Sequence, residues 1–373
     1  MNKNLKPKTI AIVTNNYKPY SGGVVSSIIS LTDELRSQGH KVYIITLEFL
    51  ENHIPEKGVI RLNCPVKFKY YSNNLAIPWR PCHNLCKIFE EIKPDIIHSQ
   101  HPFYLGHCAL RAARCKNIPI IFTYHTQYEK YVHYLPFPET LSAPITKLIA
   151  LDYCKRVDAI VAPSQSIAGY LKQEDIKTPI NVIPSGISPI FFQAATKTSM
   201  KINRKFKLIT VSRFVKEKNI PFLLEVFSKL DQNKFEFTLV GYGPEQEALK
   251  LLAFEKLKIQ TNSINFITAP SKQELARLYQ EADLFIFAST TETQGLVLAE
   301  AMASNTPAIA VRAPGSNDII INDQNGFLVD NQDEMILKIN QLQNSPEQLK
   351  RIKKEARRQS KNYAPKNSYT TLS

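Results

Sequence analysis

Two glutamates eight residues apart are the strongest candidates for binding a hydroxyl-rich ligand. Glu292 stands before a predicted helix start, and Glu300 lies about a turn and a half inside that helix. The residues between them are small or apolar, which is typical of a buried helix. A carboxylate there costs free energy unless it accepts hydrogen bonds, and sugar or ribose hydroxyls would supply them. An internal salt bridge of Glu300 is the structural alternative.

Two cations, Arg213 and Lys218, follow a predicted strand over 207–212. Side chains just beyond the carboxyl end of a strand lie at the edge where α/β proteins bind ligands. Two fixed cations at such an edge are suited to a diphosphate without a metal ion. A solvated loop with ordinary lysines is the alternative.

Two glycine pairs stand at predicted strand-to-helix turns. Gly22 and Gly23 follow the first strand, and Gly241 and Gly243 follow a strand of the second half. Residues without a side chain let backbone N–H groups approach an anion closely, although a purely structural turn explains each pair as well. The first turn is not Gly-x-Gly-x-x-Gly, so it does not predict a dinucleotide site.

One histidine stands where a ligand is expected. His125 follows a predicted strand that ends at Tyr124, which places it at the ligand-binding edge of the sheet. A lone histidine is more often a satisfied core residue, so both roles stay open.

Short apolar runs alternate with helical stretches, which indicates parallel sheets with helices on both faces. In the first half, the predicted strands are 9–14, 41–47, 95–99, 119–124, 158–162 and 180–183, and the helices are 23–37, 83–92, 103–115, 139–156 and 165–172. In the second half, the predicted strands are 207–212, 236–241, 264–267, 283–288 and 307–311, and the helices are 220–230, 244–256, 271–281, 295–304 and 332–343.

The sequence therefore predicts an α/β protein with two Rossmann-like doubly wound domains that face each other across a cleft. We expect a first domain over 1–188, a linker over 189–204, a second domain over 205–345, and a basic helix and tail over 346–373 that returns to the first domain. The tail helix is expected to begin at Pro346 after a Ser345 cap. Its narrow apolar stripe consists of Leu349, Ile352 and Ala356.

Composition excludes several classes of protein. With 43% hydrophobic and 21% charged residues, the 373-residue chain is neither disordered nor fibrous. No run reaches the roughly 18 apolar residues that cross a bilayer, and the apolar run 9–13 is too short for a signal-peptide core.

The six cysteines all precede residue 155 and are expected to be reduced thiols of a cytoplasmic protein. Cys82-His83-x-x-Cys86 lacks a second ligand pair, so no metal is expected.

The net charge of +14 indicates an anionic partner: nucleic acid, an acidic lipid surface or a phosphorylated substrate. No helix-turn-helix, zinc-finger or RNA-binding motif supports nucleic acid.

In their order along the chain, these residues resemble the motifs of family 4 glycosyltransferases, which have the two-domain GT-B fold. The motifs are Gly22-Gly23-Val24, Pro94-Asp95-Ile96-Ile97-His98, His125, Pro184-Ser185-Gly186-Ile187, Arg213 with Lys218, Gly241-x-Gly243, and Glu292 with Glu300. The resemblance implies transfer of a sugar from a nucleotide diphosphate to an acceptor hydroxyl, with retention of anomeric configuration and without a metal or other cofactor.

The resemblance also implies a role for each matching residue. Arg213 and Lys218 would bind the diphosphate and stabilise its departing charge, and Glu292 would hold hydroxyls of the donor sugar. His125 would contact the sugar near the reacting carbon, and these four residues are the catalytic candidates. Glu300 would hold the ribose. The donor-binding candidates are Gly22, Gly23, Gly241, Gly243, Thr293, Gln294, Gly295, Leu296 and Glu300.

One segment departs from the family pattern. Thr268-Ala269-Pro270 stands where many members have a glycine near the base, which leaves the nucleotide open.

Part of the first domain is similar to bacterial diacylglycerol glucosyltransferases, in segments 101–106 and 122–134, and 291–295 resembles the same branch. Cations interleave with aromatics at 66–71 and 78–80, a pattern that suits a membrane interface. The basic tail helix also suits an acidic leaflet, unless its stripe packs against the protein. The candidates for contact with acceptor or membrane are Lys67, Lys69, Trp79, Arg80 and Tyr128.

We therefore expect a metal-independent, retaining hexosyltransferase. It would move glucose from UDP-glucose to a lipid acceptor such as diacylglycerol, with the acceptor on the first domain and the donor on the second. It would lie at the inner face of the cell membrane as a peripheral, cytoplasmic protein. Two alternatives remain: a soluble or polysaccharide acceptor, and a nucleotide-sugar-binding protein whose transferase activity has decayed.

Overall fold

The computed structural model describes residues 6–20, 22–49, 55–70, 73–132, 138–193 and 204–368. The chain divides into two compact units, one of residues 1–186 with 368–373 and one of residues 187–367. Each unit is built around its own parallel sheet, so the expected pair of Rossmann-like sheets is confirmed.

The sheet of the first unit has seven parallel strands in the order β3-β2-β1-β6-β7-β8-β9. A separate antiparallel hairpin consists of β4 and β5. The strands are β1 Thr9–Val13, β2 Lys41–Leu47, β3 Val59–Leu62, β4 Val66–Tyr70, β5 Asn73–Ile77, β6 Ile96–Ser99, β7 Ile120–Thr123, β8 Ala159–Ala162 and β9 Ile180–Val182. The helices are α1 Gly23–Ser37, α2 Pro81–Ile92, α3 Leu105–Lys116, α4 Glu139–Arg156 and α5 Gln165–Gln173.

The sheet of the second unit has six parallel strands in the order β12-β11-β10-β13-β14-β15. Its strands are β10 Phe206–Val211, β11 Phe235–Val240, β12 Ile264–Ile267, β13 Leu284–Phe287, β14 Ala308–Val311 and β15 Gly326–Val329. Its helices are α6 Ile220–Ser228, α7 Gln246–Leu251, α8 Lys272–Glu281, α9 Leu296–Ala303, α10 Pro314–Asn317, α11 Gln332–Asn344, α12 Pro346–Ser360 and α13 Pro365–Ser368.

Continuous apolar strands form the centre of each sheet because both faces are covered by helices. All four residues of β13 are buried, and so are Phe235, Phe237 and Leu239 of β11. The carboxyl ends of β10 and β13, which are neighbours in the sheet, lead directly into the loops that carry the candidate cations and Glu292.

Residues Pro189–Phe192, at the start of the expected linker, form a 3-10 turn whose Phe191 is buried. One expectation about this unit needs correction. The tail helix α12 does begin at Pro346, but the Ser345 side chain makes no capping hydrogen bond. Ile352 and Ala356 are fully buried, and α12 packs on α9 and α11. The apolar stripe of this helix is therefore used inside the protein and does not face a membrane.

The cysteines also differ from expectation. Cys82 of α2 and Cys108 of α3 form a disulfide, with their Cα atoms 4.6 Å apart. The expectation that every cysteine is a reduced thiol is wrong for this pair, because the packing of α2 on α3 brings two distant thiols together. Cys64, Cys86, Cys115 and Cys154 are free.

Candidate functional site

An ion pair joins two of the catalytic candidates in the second unit. Lys218 ends the 3-10 turn Lys216–Lys218 that follows β10, and Glu292 lies in the loop after β13. The Lys218 ammonium donates a hydrogen bond to Oε1 of Glu292, and both side chains are mostly buried. The two loops are therefore tied together at the carboxyl edge of the sheet.

Arg213 is held by a residue that sequence reasoning missed. Its guanidinium lies 3.5 Å from Oε1 of Glu217, a side chain that is only 4% exposed. The backbone carbonyl of Glu217 accepts a hydrogen bond of 3.2 Å from the Ser289 hydroxyl, just beyond β13. Glu217 thus links the cationic loop to the neighbouring strand. The only signal in the sequence is an acidic residue four positions after Arg213.

The loop between Glu292 and α9 is tightly constrained. Gly295 has φ 73, in the left-handed region, and forms the N-cap of α9. Gln294 is buried, and Thr293 and Leu296 flank this turn. A second missed residue is Gly315, where an added Cβ would lie 2.6 Å from the Cβ of Glu292. A side chain at position 315 would push Glu292 out of place.

Glu300 lies on α9 in partly buried surroundings. The Tyr279 hydroxyl donates to its Oε2 at 3.5 Å, and no Lys or Arg nitrogen of the described chain lies within 4 Å. Burial raises the pKa of Glu300 to about 7, against the opposing effects of Lys272 and the Tyr279 hydroxyl. The alternative of an internal salt bridge is therefore wrong, and a carboxylate suited to accept further hydrogen bonds remains.

Gly241 and Gly243 press against the loop that carries Arg213. A Cβ on Gly241 would overlap the carbonyl oxygen of Ser212, and one on Gly243 would overlap that of Phe214. The Phe214 N–H donates to the Tyr242 carbonyl at 2.8 Å. These glycines shape the cationic loop, whatever else they contact.

Residues 268–270, which lack the glycine found in many members of the family, keep a backbone conformation that favours glycine. Ala269 has φ 45, in the left-handed region where an L-residue is strained. The loop after β12 thus retains a glycine-like turn without the glycine.

In the first unit, His125 belongs to a buried polar cluster at the carboxyl ends of β1, β6 and β7. Its Nε2 donates to Oε1 of Gln100 at 2.6 Å. His98 lies 2.7 Å from the Thr123 hydroxyl, and His101 accepts a hydrogen bond of 3.3 Å from the Asn15 N–H at Nδ1. Burial lowers the pKa of His98 and of His101 to about 4, and that of His125 to about 3. All three rings are therefore neutral at pH 7 and act only as hydrogen-bonding groups.

Gly22 and Gly23 stand at the start of α1. Gly22 is the N-cap and supplies no side-chain cap, and a Cβ there would contact only the Tyr20 ring at 3.4 Å. No side-chain cap at Gly22 accepts from the first-turn N–H groups of this 15-residue helix, and such groups are suited to bind an anion.

The candidates for contact with acceptor or membrane fall into different environments. Trp79 is 71% exposed and Arg80 is also exposed. Lys67 pairs with Glu48 at 2.9 Å, while the side chain of Lys69 lies outside the described part. Tyr128 packs edge-on against Phe103, and its hydroxyl is buried. Tyr128 therefore presents no hydroxyl to a membrane surface.

The described residues offer neither a cluster of metal ligands nor a membrane-spanning helix. They contain no group of three or more His, Cys, Asp or Glu side chains arranged to hold a metal ion. Among the same residues, no helix is both long enough and apolar enough to cross a bilayer.

Two family models match the chain. Residues 21–190 match Glycosyltransferase Family 4, and residues 193–359 match Glycosyl transferases group 1.

Two curated relatives carry the same description, alpha-monoglucosyldiacylglycerol synthase. The protein of Streptococcus pneumoniae is 33% identical over 333 residues, which cover 86% of this chain and 74% of the relative. That of Acholeplasma laidlawii is 30% identical over 388 residues, with 95% and 93% covered.

Solved structures show the same fold. HepE of Anabaena, determined with UDP-glucose, has a TM-score of 0.78 at 18% identity, with 98% of each chain covered. Sucrose-phosphate synthase of Thermosynechococcus elongatus has a TM-score of 0.79 at 18% identity, with 98% of this chain and 96% of that chain covered. The two parallel sheets are thus those of the two-domain GT-B fold.

Proposed function

This chain belongs to the family 4 glycosyltransferases, and from that premise we propose that it moves glucose from UDP-glucose to a lipid acceptor such as diacylglycerol. The family and the two relatives described as alpha-monoglucosyldiacylglycerol synthases make it a glycosyltransferase related to glycolipid synthases. The donor, the acceptor, retention of configuration and independence of metal are parts of the proposal.

The observation that carries the proposal is the group formed by Arg213, Lys218 and Glu292 at the carboxyl ends of β10 and β13. Arg213 and Lys218 bind the diphosphate of the donor, and Glu292 accepts hydrogen bonds from hydroxyls of its sugar. Glu300 accepts hydrogen bonds from the ribose hydroxyls in place of the weak contact from Tyr279. The ion pair between Lys218 and Glu292 is intact, which disfavours the alternative of a nucleotide-sugar-binding protein that has lost its transferase activity.

The chemical step needs stabilisation of negative charge. The bond between the anomeric carbon and the diphosphate oxygen breaks while the acceptor oxygen bonds to that carbon on the same face. Charge develops on the leaving diphosphate, where the two fixed cations lower the barrier, each by about 2–4 kcal/mol. The leaving phosphate oxygen takes the proton of the acceptor hydroxyl, so the reaction needs no separate base. No metal is required because the two cations supply the charge.

The first unit has a positioning role in this proposal. Neutral His125, oriented by Gln100, contacts the donor sugar near the reacting carbon. The N–H groups at the start of α1, beside Gly22 and Gly23, approach the diphosphate. The acceptor binds to this unit.

The test is transfer of label from a panel of radiolabelled UDP- and GDP-sugars into vesicles of phosphatidylglycerol and diacylglycerol, followed by organic extraction. We expect label in the lipid phase with UDP-glucose, and losses of at least about a hundredfold in Lys218→Ala and Glu292→Ala. Lys216→Ala is the matched control, since Lys216 is exposed in the same 3-10 turn.

Other outcomes overturn separate parts of the proposal. Label in soluble glycosides but not in lipid would keep the donor site and discard the lipid acceptor. Near-normal turnover in both alanine variants would discard the site.

A further inference from the structure

Arg61 of β3, the edge strand of the first sheet, reaches the loop between β1 and α1. One terminal nitrogen of its guanidinium donates to the carbonyl of Lys18 at 2.8 Å. The other donates at 3.3 Å to the carbonyl of Leu47, the last residue of β2. Hydrogen bonds from an ionised donor are stronger than those between neutral groups. A single side chain therefore joins the end of β2 to the loop that follows β1.

The same guanidinium covers an aromatic ring that packs with α1. Its central carbon lies 5.9 Å from the centroid of the Tyr17 ring, within the range of a cation–π contact. Tyr17 is only 3% exposed and belongs to the same core cluster as Val25 and Ile28 of α1. A change at Arg61 is therefore transmitted to the first turns of α1 by packing as well as through the loop backbone.

Other contacts hold the rest of this loop. The Lys18 ammonium pairs with Glu56 at 2.7 Å. At the start of the loop, Nδ2 of Asn15 donates to the Phe103 carbonyl at 3.1 Å, and Oδ1 of Asn15 accepts from the Leu105 N–H at 3.2 Å. The loop is thus tied to the segment after β6 at one end and to the segment of β3 at the other.

The charge of Arg61 is used within the protein. Both terminal nitrogens of its guanidinium already donate to backbone carbonyls. Partial burial lowers the pKa of Arg61, and the carboxylates of Glu56 and Glu48 oppose this effect. Arg61 is therefore suited to hold the loop in place, and we assign it no direct contact with the donor.

We propose that Arg61 is a positioning residue for the diphosphate of the donor: it fixes the loop that leads into α1, so that the N–H groups at the start of this helix approach the diphosphate. Negative charge on the leaving diphosphate strengthens these hydrogen bonds, so a small displacement of the helix start costs rate as well as affinity. The inference rests on the proposed function, which places the start of α1 at the diphosphate, and it adds the residue that determines where this start lies.

The test compares the affinities for UDP and for uridine, which lacks the diphosphate. Arg61→Met keeps an unbranched side chain but removes both hydrogen bonds to the carbonyls. Calorimetric titration of the full-length protein should show a Kd for UDP that is about tenfold higher in Arg61→Met, with a change of less than about twofold for uridine. A general disturbance of the fold would weaken both ligands equally, and that result would overturn the proposal.

Hydrogen exchange locates the effect in the loop. The N–H of Tyr20 donates to the Tyr17 carbonyl at 3.1 Å, a contact that depends on the shape of this loop. In the protein without ligand, amide exchange of a peptide covering residues 15–26 should be about tenfold faster in Arg61→Met, as measured by mass spectrometry. Unchanged exchange would show that the loop does not depend on Arg61, and the proposal would be wrong.

Two further variants complete the comparison. Arg36 donates to the carbonyls of Val42 and Lys57 at 2.9 and 3.2 Å, near the amino ends of β2 and β3. Arg36→Met therefore removes contacts of the same kind away from the loop and should bind UDP as the unaltered protein does. Arg61→Lys keeps the charge but lacks the planar fork that reaches two carbonyls, so its Kd for UDP should rise about threefold. If Arg61→Met does not fold, Arg61→Lys decides, and normal UDP affinity with normal loop exchange would overturn the proposal.

Transfer assays separate this inference from the proposed function. With UDP-glucose and diacylglycerol vesicles, Arg61→Met should lose about tenfold in kcat, while the KM for diacylglycerol stays unchanged. If the unaltered protein binds UDP but glycosylates no lipid, the proposed function fails, whereas the UDP and uridine affinities still decide the role of Arg61. If the unaltered protein binds neither UDP nor UDP-glucose, the proposed donor and this inference are both wrong.

Discussion

The ammonium of Lys218 and the carboxylate of Glu292 form an ion pair, although the two residues are 74 positions apart in sequence. In the proposed mechanism, Lys218 binds the diphosphate and Glu292 binds the sugar of the same donor. The pair therefore holds both groups at neighbouring positions, and each offsets the cost of partly burying the other charge. The two loops are preorganised, so donor binding loses little conformational entropy in ordering them.

The ion pair predicts different patterns for stability and for activity. Either Lys218→Met or Glu292→Gln removes the attraction between the two charges while the remaining charge stays mostly buried, and should lower the free energy of unfolding by about 1–3 kcal/mol. The double variant should recover much of that loss, while all three variants lose about a hundredfold or more in kcat. Urea unfolding of the four proteins, with Lys216→Met as control, measures the coupling. Simple additivity of the two stability losses would show that the pair does not form in solution.

The contact between Glu217 and Arg213 predicts a split between binding and rate. Glu217→Gln keeps the shape of the side chain but removes the charge that orients the guanidinium. The substitution also removes a negative charge close to the diphosphate site, so the KM for the donor should not rise. Because the guanidinium is less well oriented toward the leaving diphosphate, kcat should fall by about tenfold. Steady-state kinetics measure both, with Glu255→Gln, an exposed glutamate of the same unit, as control. A raised KM with normal kcat would contradict a positioning role.

The alternation of strands and helices made the two parallel sheets predictable, because buried parallel strands are continuous apolar runs. The same alternation places Arg213, Lys218 and Glu292 beyond strand ends, although nothing in it shows that two of them form an ion pair. The weaker elements were missed. In β4, Val66 and Phe68 alternate with lysines, and this short pattern fits an exposed surface as well as a strand.

Contacts between distant segments could not be predicted from local pattern. Gly315 restricts the space around Glu292 only because α10 folds over that loop. The disulfide of Cys82 and Cys108 depends on how α2 packs on α3. Burial of Ile352 and Ala356 likewise depends on the helices that cover α12, so the stripe alone left a membrane contact open.

The buried histidines predict loss of stability in weak acid. The folded-state pKa values of His98 and His101 are about 4, below the ordinary value of 6.5. Below pH 6.5 the unfolded chain therefore binds protons that the folded chain excludes, and stability falls as pH falls toward 4. Each ring contributes about 2 kcal/mol to that loss between pH 6.5 and 5. Urea unfolding at pH 7.5 and 5.0 should show a smaller difference for His98→Asn than for the unaltered protein.

The control for that comparison is His83→Asn, since His83 is exposed on α2. An unchanged pH dependence in His98→Asn would mean that this ring is protonated in the folded protein at pH 5.

Glu300 predicts opposite effects of pH on stability and on donor binding. Its pKa of about 7 in the folded protein lies above the usual value of 4.5, so the free energy of unfolding decreases as pH rises from 4.5 to 7. Glu300→Gln removes that cost and should stabilise the protein at pH 8 by about 3 kcal/mol. Ribose hydroxyls, in contrast, donate to the ionised carboxylate. The affinity for UDP-glucose should therefore fall by about tenfold per pH unit below 7 in the unaltered protein. In Glu300→Gln the affinity should be lower and independent of pH.

Calorimetric titration with UDP-glucose from pH 5.5 to 8.5 tests this prediction. UDP-glucose is the suitable ligand because its diphosphate diester does not titrate in this range. Glu255→Gln, which removes an exposed carboxylate of the same unit, should retain the pH dependence of the unaltered protein. If Glu300→Gln binds UDP-glucose normally, Glu300 is not part of the donor site. If this variant is no more stable than the unaltered protein at pH 8, burial does not destabilise the ionised carboxylate of Glu300.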